Sequence, residues 1–200
     1  MFELLSLHPY ITTLDSELSE DFIQSMLQVK NFQNSEGYNS LTQTSEKVSE
    51  RTSLTFFDRG AKFDHIIGHC LDVVYKNTGD KFTLEQTEIL QLTRYKPGQF
   101  YTSHYDHFNL PDVPQIPNDR IATIILYLND DFQGGGTLFT DIPLMINPHK
   151  GRICYFKYPP EYELAFYKHE GCEVVYGEKA IAQIWIRQSS YRIPTPKSNQ

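Results

Sequence analysis

Cysteine is scarce in this 200-residue chain, which holds three cysteines and no CxxC motif. Their odd number and wide spacing argue against a disulfide framework, so Cys70, Cys154 and Cys172 are expected to be reduced thiols in a cytosolic protein. No apolar run approaches the length of a membrane span. The N-terminal stretch lacks a basic start and is interrupted by His8 and Pro9. We therefore expect no membrane segment, no signal peptide and a cytoplasmic location.

Positive charge is also in short supply, with 18 lysines and arginines against 25 acidic residues and a net charge of -7. A broad phosphate-binding surface needs the opposite balance, so nucleic acid is not expected as a partner. The remaining composition, 40% hydrophobic and 22% charged, is ordinary for a globular protein with a core. We expect one domain over residues 1–200, because neither a repeat nor a linker divides the chain. Nothing in the sequence indicates the oligomeric state.

Helical and stranded patterns occupy different parts of the chain. Residues 18–28 carry an apolar helix face behind a possible N-cap at Ser19, and residues 61–79 repeat apolar positions with a helical period. The polar stretch 30–50 is predicted to be a loop. Short runs rich in β-branched and aromatic residues then predict strands over 88–95, 120–129, 136–140, 151–158 and 179–187. Helices first and short strands afterwards predict an α+β fold with a sandwich or barrel.

Two histidines and an aspartate lie close together in the stretch YTSHYDHF, residues 101–108. Side chains alternate along a strand, so His104 and Asp106 share one face and His107 belongs to the other. A second histidine from elsewhere would complete a facial triad, which is typical of non-haem Fe(II) oxygenases. A lone H-x-D tripeptide also arises by chance, and a histidine beside an aspartate is commonly just a hydrogen-bonded pair.

Several other histidines are candidates for the third ligand. His65 and His69 are one turn apart on the second predicted helix, but the glutamate of the zinc-protease motif is missing between them. His149 lies in a turn, His8 lies near the start, and His169 lies between two strand-like stretches. His65 and His69 are explained as polar positions on a helix flank and His149 as a solvated loop residue, while His8 is uninformative, which leaves His169 as the remaining candidate.

Three longer blocks carry a family resemblance. RYKPGQFYTSHYDHF (94–108) is followed by RIATIILYLNDDFQGGGTLF (120–139) and by HEGCEVVYGEKAIAQIWIR (169–187). In content and order they resemble the prolyl 4-hydroxylases, within the 2-oxoglutarate- and Fe(II)-dependent dioxygenases. RTS (51–53) is similar to a triplet upstream in the same family. The resemblance covers about residues 50–187, most of the chain.

The resemblance implies an Fe(II) site and a cosubstrate site. His104, Asp106 and His169 are the implied iron ligands, and Lys179 is implied to pair with the distal carboxylate of 2-oxoglutarate. These four residues are the expected catalytic set. Dioxygen is the second cosubstrate, and L-ascorbate is expected to rescue iron that has been oxidised in uncoupled turnovers.

Five further positions match residues that bind ligands in the family. Tyr95 and Thr137 stand where the family hydrogen-bonds 2-oxoglutarate. Tyr101, Arg120 and Trp185 match positions that line the peptide groove. The resemblance also implies a double-stranded β-helix, or jelly roll, from about 88 to 187. The helical part, about 1–87, is expected to pack on one sheet, and the tail 192–200 is expected to fray.

Strand alternation in KAIAQIWIR supports the role of Lys179 independently. One face carries Lys179 and Trp185, as a ligand cavity requires, and a buried lysine is costly unless an anion accompanies it. Trp185 lies six residues, roughly 20 Å, further along the strand and is expected at the cavity mouth. The opposite face is uniformly apolar and is predicted to be core: Ala180, Ala182, Ile184 and Ile186.

The chain departs from the family pattern at three positions. Gly136 stands where a glutamate is usual, Glu173 where a proline is usual, and Ala180 where a tryptophan is usual. None of the three is a predicted metal ligand or the predicted cosubstrate lysine. The departures therefore concern the substrate more than the chemistry.

The expected function is hydroxylation of prolyl residues in a peptide or protein partner. One alternative keeps the chemistry and changes the substrate to another side chain, a free amino acid or a small metabolite. An alternative of a different class is a non-catalytic, metal-binding jelly-roll module. The intact triad together with Lys179 argues against the non-catalytic alternative.

Overall fold

The computed structural model describes residues 10–39, 44–46, 51–109, 115–142, 144–158 and 167–192. Both predicted helices are present, as α1 (Glu20–Leu27) and α2 (Asp64–Thr78). Ser19 caps α1 through its side chain, which accepts from the backbone N–H of Phe22, and Gly79 ends α2 in the left-handed conformation at φ 79°. A short 3-10 turn follows at Leu84–Gln86. Neither α-helix has the length and apolar character needed to cross a membrane.

Strands make up most of the described elements. The first part of the chain contains β1 (Ile11–Asp15), β2 (Gln33–Asn34), β3 (Gly37–Asn39), β4 (Thr44–Glu46) and β5 (Leu54–Phe57). The middle contains β6 (Gln91–Tyr95), β7 (Tyr101–His104), β8 (Arg120–Tyr127), β9 (Gln133–Gly134) and β10 (Thr137–Phe139). The last part contains β11 (Leu144–Ile146), β12 (Arg152–Lys157), β13 (His169–Gly171), β14 (Val174–Tyr176) and β15 (Lys179–Arg187).

Two sheets dominate the architecture. The larger has seven strands in the order β1-β12-β8-β15-β6-β5-β2, and the smaller has four in the order β11-β10-β13-β7. The pairs β14-β9 and β3-β4 stand apart, and every strand pairing in the described ranges is antiparallel. Among the described residues, two α-helices and two main antiparallel sheets are compatible with the predicted jelly roll.

The predicted division into a helical first part and a stranded second part is wrong in one respect. β1, β5 and β2 all belong to the seven-stranded sheet, so the region before residue 87 contributes strands as well as helices. The predicted loop 30–50 contains β2, β3 and β4, while positions 40–43 and 47–50 lie outside the described residues. The sequence of β2 is polar because it is an edge strand whose two residues are exposed. The predicted frayed tail lies outside the described residues from position 193 onward.

The buried apolar residues form two hydrophobic clusters, one on each face of the large sheet. The first contains buried residues of α1 and α2 together with the apolar face of β15, including Phe63, Ile66, Cys70 and Val74 from the second helical segment. The second contains the opposite face of the large sheet and residues of the smaller sheet, among them Tyr95, Tyr127, Phe139, Phe156 and Ile181. The predicted alternation of β15 is thereby confirmed, because its even-numbered residues belong to the first cluster and Ile181 to the second.

Candidate active site

The three predicted metal ligands converge at the end of β7. His104 is the last residue of β7 and is the register partner of His169 on β13, while Asp106 lies in the turn that follows. Asp106 Oδ1 is 3.6 Å from His104 Nε2, and its Oδ2 is 3.8 Å from His169 Nε2. One ligand atom from each residue lies within 4.8 Å of the other two. The strand pairing therefore brings residues that are 65 positions apart in the chain, 104 and 169, into one site.

Backbone carbonyls fix both imidazole rings in the form that binds a metal. His104 Nδ1 lies 2.8 Å from the carbonyl oxygen of Thr102, and His169 Nδ1 lies 2.9 Å from that of Tyr167. A carbonyl oxygen can only accept, so each Nδ1 carries the hydrogen and each Nε2 keeps its lone pair. Both Nε2 atoms face Asp106, and His104 Nε2 is buried with no hydrogen-bond partner among the described residues. Metal-bound histidines have this arrangement.

The electrostatics of the triad also suit a divalent cation. Burial, with a smaller contribution from the neighbouring His104, lowers the pKa of His169 to about 4, so the ring is neutral at pH 7. Burial alone would raise the pKa of Asp106, but His169, His104 and Arg120 outweigh it and hold that pKa well below its usual range. Two imidazoles and one carboxylate are the donor set of non-haem Fe(II) sites, so these residues fit that metal.

A threonine on the neighbouring sheet orients the aspartate. The hydroxyl of Thr123 donates to Asp106 Oδ2 at 2.8 Å and lies 2.8 Å from the hydroxyl of Tyr158. Thr123 is fully buried on β8, opposite Trp185 of β15. Such hydrogen bonds to a metal-ligating carboxylate hold it in one orientation.

Strand alternation predicted that His107 points away from the site, but this prediction is wrong. β7 ends at His104, so the alternation of side chains no longer applies three residues later. His107 is buried, lines the same cavity as the triad, and has an Nε2 without a hydrogen-bond partner in the described ranges. Burial lowers its pKa, and its ring packs 4.9 Å from that of Tyr158. It is nevertheless outside the group whose ligand atoms converge.

The other candidate histidines lie elsewhere. His65 packs beside an aromatic ring, His69 hydrogen-bonds a backbone carbonyl, and His149 pairs with a carboxylate on the surface. His8 lies outside the described residues. None of His65, His69 and His149 belongs to the group of described residues whose ligand atoms converge.

Lys179 sits in a closed aromatic pocket at the start of β15. It is the register partner of Tyr95 and only 2% exposed, and its Nζ donates to the carbonyl of Gly135 at 2.6 Å. The Nζ atom is 5.1 Å from the ring centre of Tyr95 and 5.7 Å from that of Tyr127. Burial lowers the pKa of Lys179 to about 8. No carboxylate pairs with it in the described residues, so the pocket offers a cation to an anionic ligand.

The two predicted cosubstrate hydroxyls are close to this pocket. Thr137 is buried on β10, and its Oγ1 is 2.7 Å from the hydroxyl of Tyr127. Tyr95 is buried and hydrogen-bonds Ser53 through its side chain. The structure thus links Thr137 to Lys179 through the ring of Tyr127, a residue that sequence reasoning did not select.

A cavity of about 520 Å³ is lined by two of the three predicted metal ligands and by the three predicted groove residues. His104 and Asp106 line it together with Tyr101, Arg120 and Trp185. The ring of Tyr101 stacks on that of His104, with 3.6 Å between centroids and an interplanar angle of 17°. An extended chain lying in this cavity would therefore contact the aromatic and cationic wall directly beside the triad.

Arg120 contacts several of the residues that form that wall. Its Nε and Nη2 donate to the two carboxylate oxygens of Glu88 at 2.7 and 2.8 Å, and its Nη1 donates to the carbonyl of Asp106 at 3.1 Å. The guanidinium lies 4.0 Å from the ring centre of Trp185. Because this stacking covers the indole, Trp185 is only 5% exposed and forms the cavity wall, whereas it was expected at the mouth. Lys179 does not line this cavity.

Comparison with known proteins decides the family. A family model described as the 2OG-Fe(II) oxygenase superfamily matches residues 90–187. The chain is 32% identical over 179 residues to probable prolyl 4-hydroxylase 4 of Arabidopsis thaliana, which covers 76% of this chain and 59% of the relative. A putative prolyl 4-hydroxylase of Acanthamoeba polyphaga mimivirus is 29% identical over 133 residues, or 59% of this chain and 53% of the relative. The chain belongs to the prolyl 4-hydroxylase family of 2OG-Fe(II) oxygenases.

A solved structure extends the likeness to the whole fold. The crystal structure of the viral collagen prolyl hydroxylase from Paramecium Bursaria Chlorella virus-1, a 2OG complex, has a TM-score of 0.66 and 26% identity, covering 92% of this chain and 98% of that one. The chain spans between 53% and 59% of the length of the two sequence relatives. The predicted set of Fe(II), 2-oxoglutarate and dioxygen is confirmed by the family. Ascorbate stays a prediction.

The structure shows the surroundings of the three positions at which this prolyl 4-hydroxylase family member departs from the family's sequence pattern. A side chain at Gly136 would meet the sulfur of Met145, which is the end of a flexible and exposed side chain. The carbonyl of Glu173 accepts from the N–H of Gly135 at 2.8 Å. Ala180 is buried in the cluster that contains the helices. None of the three changes touches the converging ligand atoms.

Sequence reasoning missed four residues that shape the site. Tyr127 and Thr123 lie on the same face of β8, four residues apart, and this spacing could have predicted that they reach the interior together. Glu88 holds Arg120 but lies before β6, where no local pattern indicates the site. Arg51 lines the same cavity as Arg120, and its only signal in the sequence was the RTS triplet.

Proposed function

We propose that this chain is a 2-oxoglutarate- and Fe(II)-dependent dioxygenase that hydroxylates prolyl residues in a peptide or protein. The observation that carries the proposal is the convergence of His104, Asp106 and His169, together with the buried cation of Lys179. Iron and an acidic cosubstrate need separate binding groups. Two imidazoles and a carboxylate suit Fe(II), and a lysine ammonium suits the carboxylate of the cosubstrate. The names of the relatives support prolyl residues as the target.

Each group has a distinct role in the proposed reaction. His104, Asp106 and His169 would hold the iron, whose chemistry couples dioxygen reduction to oxidative decarboxylation of 2-oxoglutarate. Lys179 would bind the distal carboxylate of the cosubstrate, and Thr137 and Tyr95 would add hydrogen bonds. All of these groups except His104 are buried, which excludes water and strengthens the charged contacts.

The substrate would lie in the 520 Å³ cavity. Tyr101 presents an aromatic ring stacked on the ligand His104, and Arg120 and Trp185 supply a stacked wall whose remaining N–H groups can donate to peptide carbonyls. Trp185 Nε1 is buried and has no hydrogen-bond partner among the described residues, which supports a ligand acceptor at that point.

We propose a jelly roll in which the seven- and four-stranded sheets face each other and both helices cover the outside of the larger sheet, all in one domain. What supports this is the division of the buried residues. One cluster joins the helices to one sheet face, and the other joins the two sheets. The site described above then occupies the interior between the sheets.

The test is product formation by the purified chain supplied with Fe(II), 2-oxoglutarate and ascorbate. We expect succinate to form, and we expect it to increase with peptides that contain proline but not with matched peptides in which alanine replaces it. Mass spectrometry should find one added oxygen on the proline. Asp106→Ala should abolish both signals, because two imidazoles alone hold Fe(II) poorly, and His149→Ala on the surface serves as the matched control.

Two outcomes would contradict the proposal in different ways. Metal binding without any succinate would favour the non-catalytic metal-binding module. Succinate formation with oxygen added to another side chain or to a small molecule would keep the chemistry and overturn the prolyl substrate.

A further inference from the structure

A second cavity adjoins the one lined by His104 and Asp106, which we call the triad cavity. Its volume is about 560 Å³, and it shares three lining residues with the triad cavity, namely Glu36, Arg51 and Phe57. Beyond these, its wall is mostly polar and includes Asn34 and Arg59. A ligand that fills the triad cavity can therefore continue into the second one past Arg51.

The guanidinium of Arg51 is buried there without enough partners. The residue is only 9% exposed, and its Nη1 donates to the carbonyl of Glu36 at 3.2 Å. Its Nε and Nη2 are buried and have no hydrogen-bond partner in the part of the chain that the structure describes. Unpaired buried donors on a charged group are costly, which indicates that a ligand satisfies them.

The charge balance of the cavity indicates the sign of that ligand. Four arginines of the described residues pair with carboxylates at 3.4 Å or less: Arg94, Arg120, Arg187 and Arg192. Arg51 and Arg59 have no such partner in the described ranges, although the chain as a whole carries a net charge of -7. The carboxylate of Glu36 is not within 4 Å of either. Two unpaired cations on one cavity of an acidic protein favour an anion.

Arg51 is also connected to the triad by stacked rings. Its guanidinium carbon is 4.7 Å from the ring centre of Tyr101, and that ring is 3.6 Å from the ring of His104. An extended peptide advances about 3.1 to 3.4 Å per residue. A group held by Arg51 would thus come from a residue about two to four positions from the reacting one.

We infer that the second cavity is a subsite for a carboxylate side chain, an aspartate or glutamate that flanks the reacting residue of the substrate. The inference rests on the proposed function, because it assumes a peptide in the triad cavity. The planar fork of Arg51 can donate two parallel hydrogen bonds to a carboxylate, and Arg59 adds a second positive charge at the more exposed side.

Binding can be measured without turnover, since Trp185 is the only tryptophan of the chain and lines the triad cavity. Peptides with one proline and a glutamate two, three or four positions before or after it are titrated into the iron- and 2-oxoglutarate-loaded protein under anaerobic conditions. Matched peptides carry glutamine in place of glutamate. We expect the best glutamate peptide to bind about ten- to a hundredfold more tightly, the range of a charge-assisted hydrogen bond, and the advantage to shrink with salt.

Variants then assign the preference to the cavity. Arg51→Gln should bring the glutamate-to-glutamine ratio close to one, and Arg51→Lys should restore part of it. Arg59→Gln, at an exposed position, should lower the ratio and covers the case in which the buried substitution prevents folding. Arg152→Gln is the matched control, because Arg152 also lacks a carboxylate partner in the described residues but hydrogen-bonds a carbonyl far from the cavity.

The results separate this inference from the proposed function. Equal binding of glutamate and glutamine peptides, or a preference that persists in both Arg51→Gln and Arg59→Gln, would overturn the subsite even if proline is hydroxylated. A preference that depends on these arginines would support the subsite even if oxygen is added to a residue other than proline, which would overturn the proposed function alone.

Discussion

Replacing Lys179 by methionine removes the cation of the cosubstrate pocket while keeping the length of the side chain. Lys179 Nζ is enclosed by Gly135, Tyr95 and Tyr127, and no carboxylate neutralises it in the described residues. A charge-assisted hydrogen bond in such a closed site contributes about 1.5 to 3 kcal/mol. We therefore expect the 2-oxoglutarate requirement of Lys179→Met to rise about ten- to a hundredfold. Metal binding should survive, because no ligand is lost.

The pKa of Lys179 adds a pH signature to this prediction. With a pKa of about 8, roughly nine tenths of the side chains are protonated at pH 7 and about one tenth at pH 9. The cation disappears as the pH rises, so 2-oxoglutarate should bind about tenfold more weakly at pH 9 than at pH 7. Lys179→Met should lose this pH dependence.

The same pKa predicts an opposite effect on the stability of the protein without cosubstrate. A pKa lowered from 10.5 to about 8 corresponds to about 3 kcal/mol for keeping the charge buried at neutral pH. This cost is fully present below pH 8 and is relieved as the pH rises from about 8 to 10.5, because only the unfolded state then holds the proton. Lys179→Met should therefore unfold at a higher urea concentration than the parent. The gain in stability should be smaller than about 3 kcal/mol, because the carbonyl of Gly135 loses its hydrogen-bond donor.

The assay is anaerobic titration of the iron-loaded protein with 2-oxoglutarate at pH 7 and pH 9, next to urea unfolding with and without the cosubstrate. Lys150→Met serves as control, since Lys150 forms an ion pair with Glu20 on the surface and should leave 2-oxoglutarate binding unchanged. An unchanged affinity in Lys179→Met, or a pH dependence equal to that of the parent, would refute the role of this residue.

Three further substitutions probe the rest of the site. Thr123→Val removes the hydroxyl that holds Asp106 and should weaken metal binding about ten- to a hundredfold in equilibrium titrations; unchanged affinity would contradict its positioning role. Gly135→Ala places a side chain at φ 65° against Lys179 and Phe132, so urea unfolding should show a loss of about 1–3 kcal/mol. Trp185→Ala should reduce peptide-stimulated succinate formation and spare the peptide-independent reaction; equal loss of both would place Trp185 in the cosubstrate site.

Long paired strands were predictable because their two faces differ in chemistry. The even positions of β15 are uniformly apolar and are buried beside the helices, while Lys179, Gln183 and Trp185 face the interior. Gln183 illustrates why the second face tolerates polar residues. Its amide oxygen accepts from Gln91 at 2.7 Å and from Thr93 at 2.9 Å, so the buried polar groups satisfy one another.

Short strands before residue 60 were missed for the opposite reason. β2 has two exposed polar residues and exists because Gln33 and Asn34 pair with β5, a partner about 20 positions later. β1 joins the sheet by pairing with β12, more than 130 positions away. Neither pairing leaves a periodic pattern in the local sequence, since an edge strand needs only its backbone to be paired.

His104 and Asp106 converge as predicted, but the argument that led to this prediction, side-chain alternation along one strand, does not hold for them. Alternation along a continuous strand placed them on one face, but β7 ends at His104 and a turn carries Asp106 toward the imidazoles. The same turn buries His107 in the cavity, where alternation would have sent it outward. Residue types and spacing thus selected residues that converge, whereas the directions of their side chains depend on where the strand ends.

The site is organised by register, because its residues oppose one another across strand pairs. His104 faces His169, Lys179 faces Tyr95, Trp185 faces Thr123, and Arg187 faces Arg120, the last pair across an irregularity in the ladder. A slip of one residue in β15 would turn Lys179 and Trp185 toward the helices and bring apolar side chains into the cavity. The apolar face of β15 opposes that slip, since it would lose its burial in the helix-containing cluster. The hydrophobic pattern that makes β15 recognisable in the sequence therefore also fixes which of its residues face the active site.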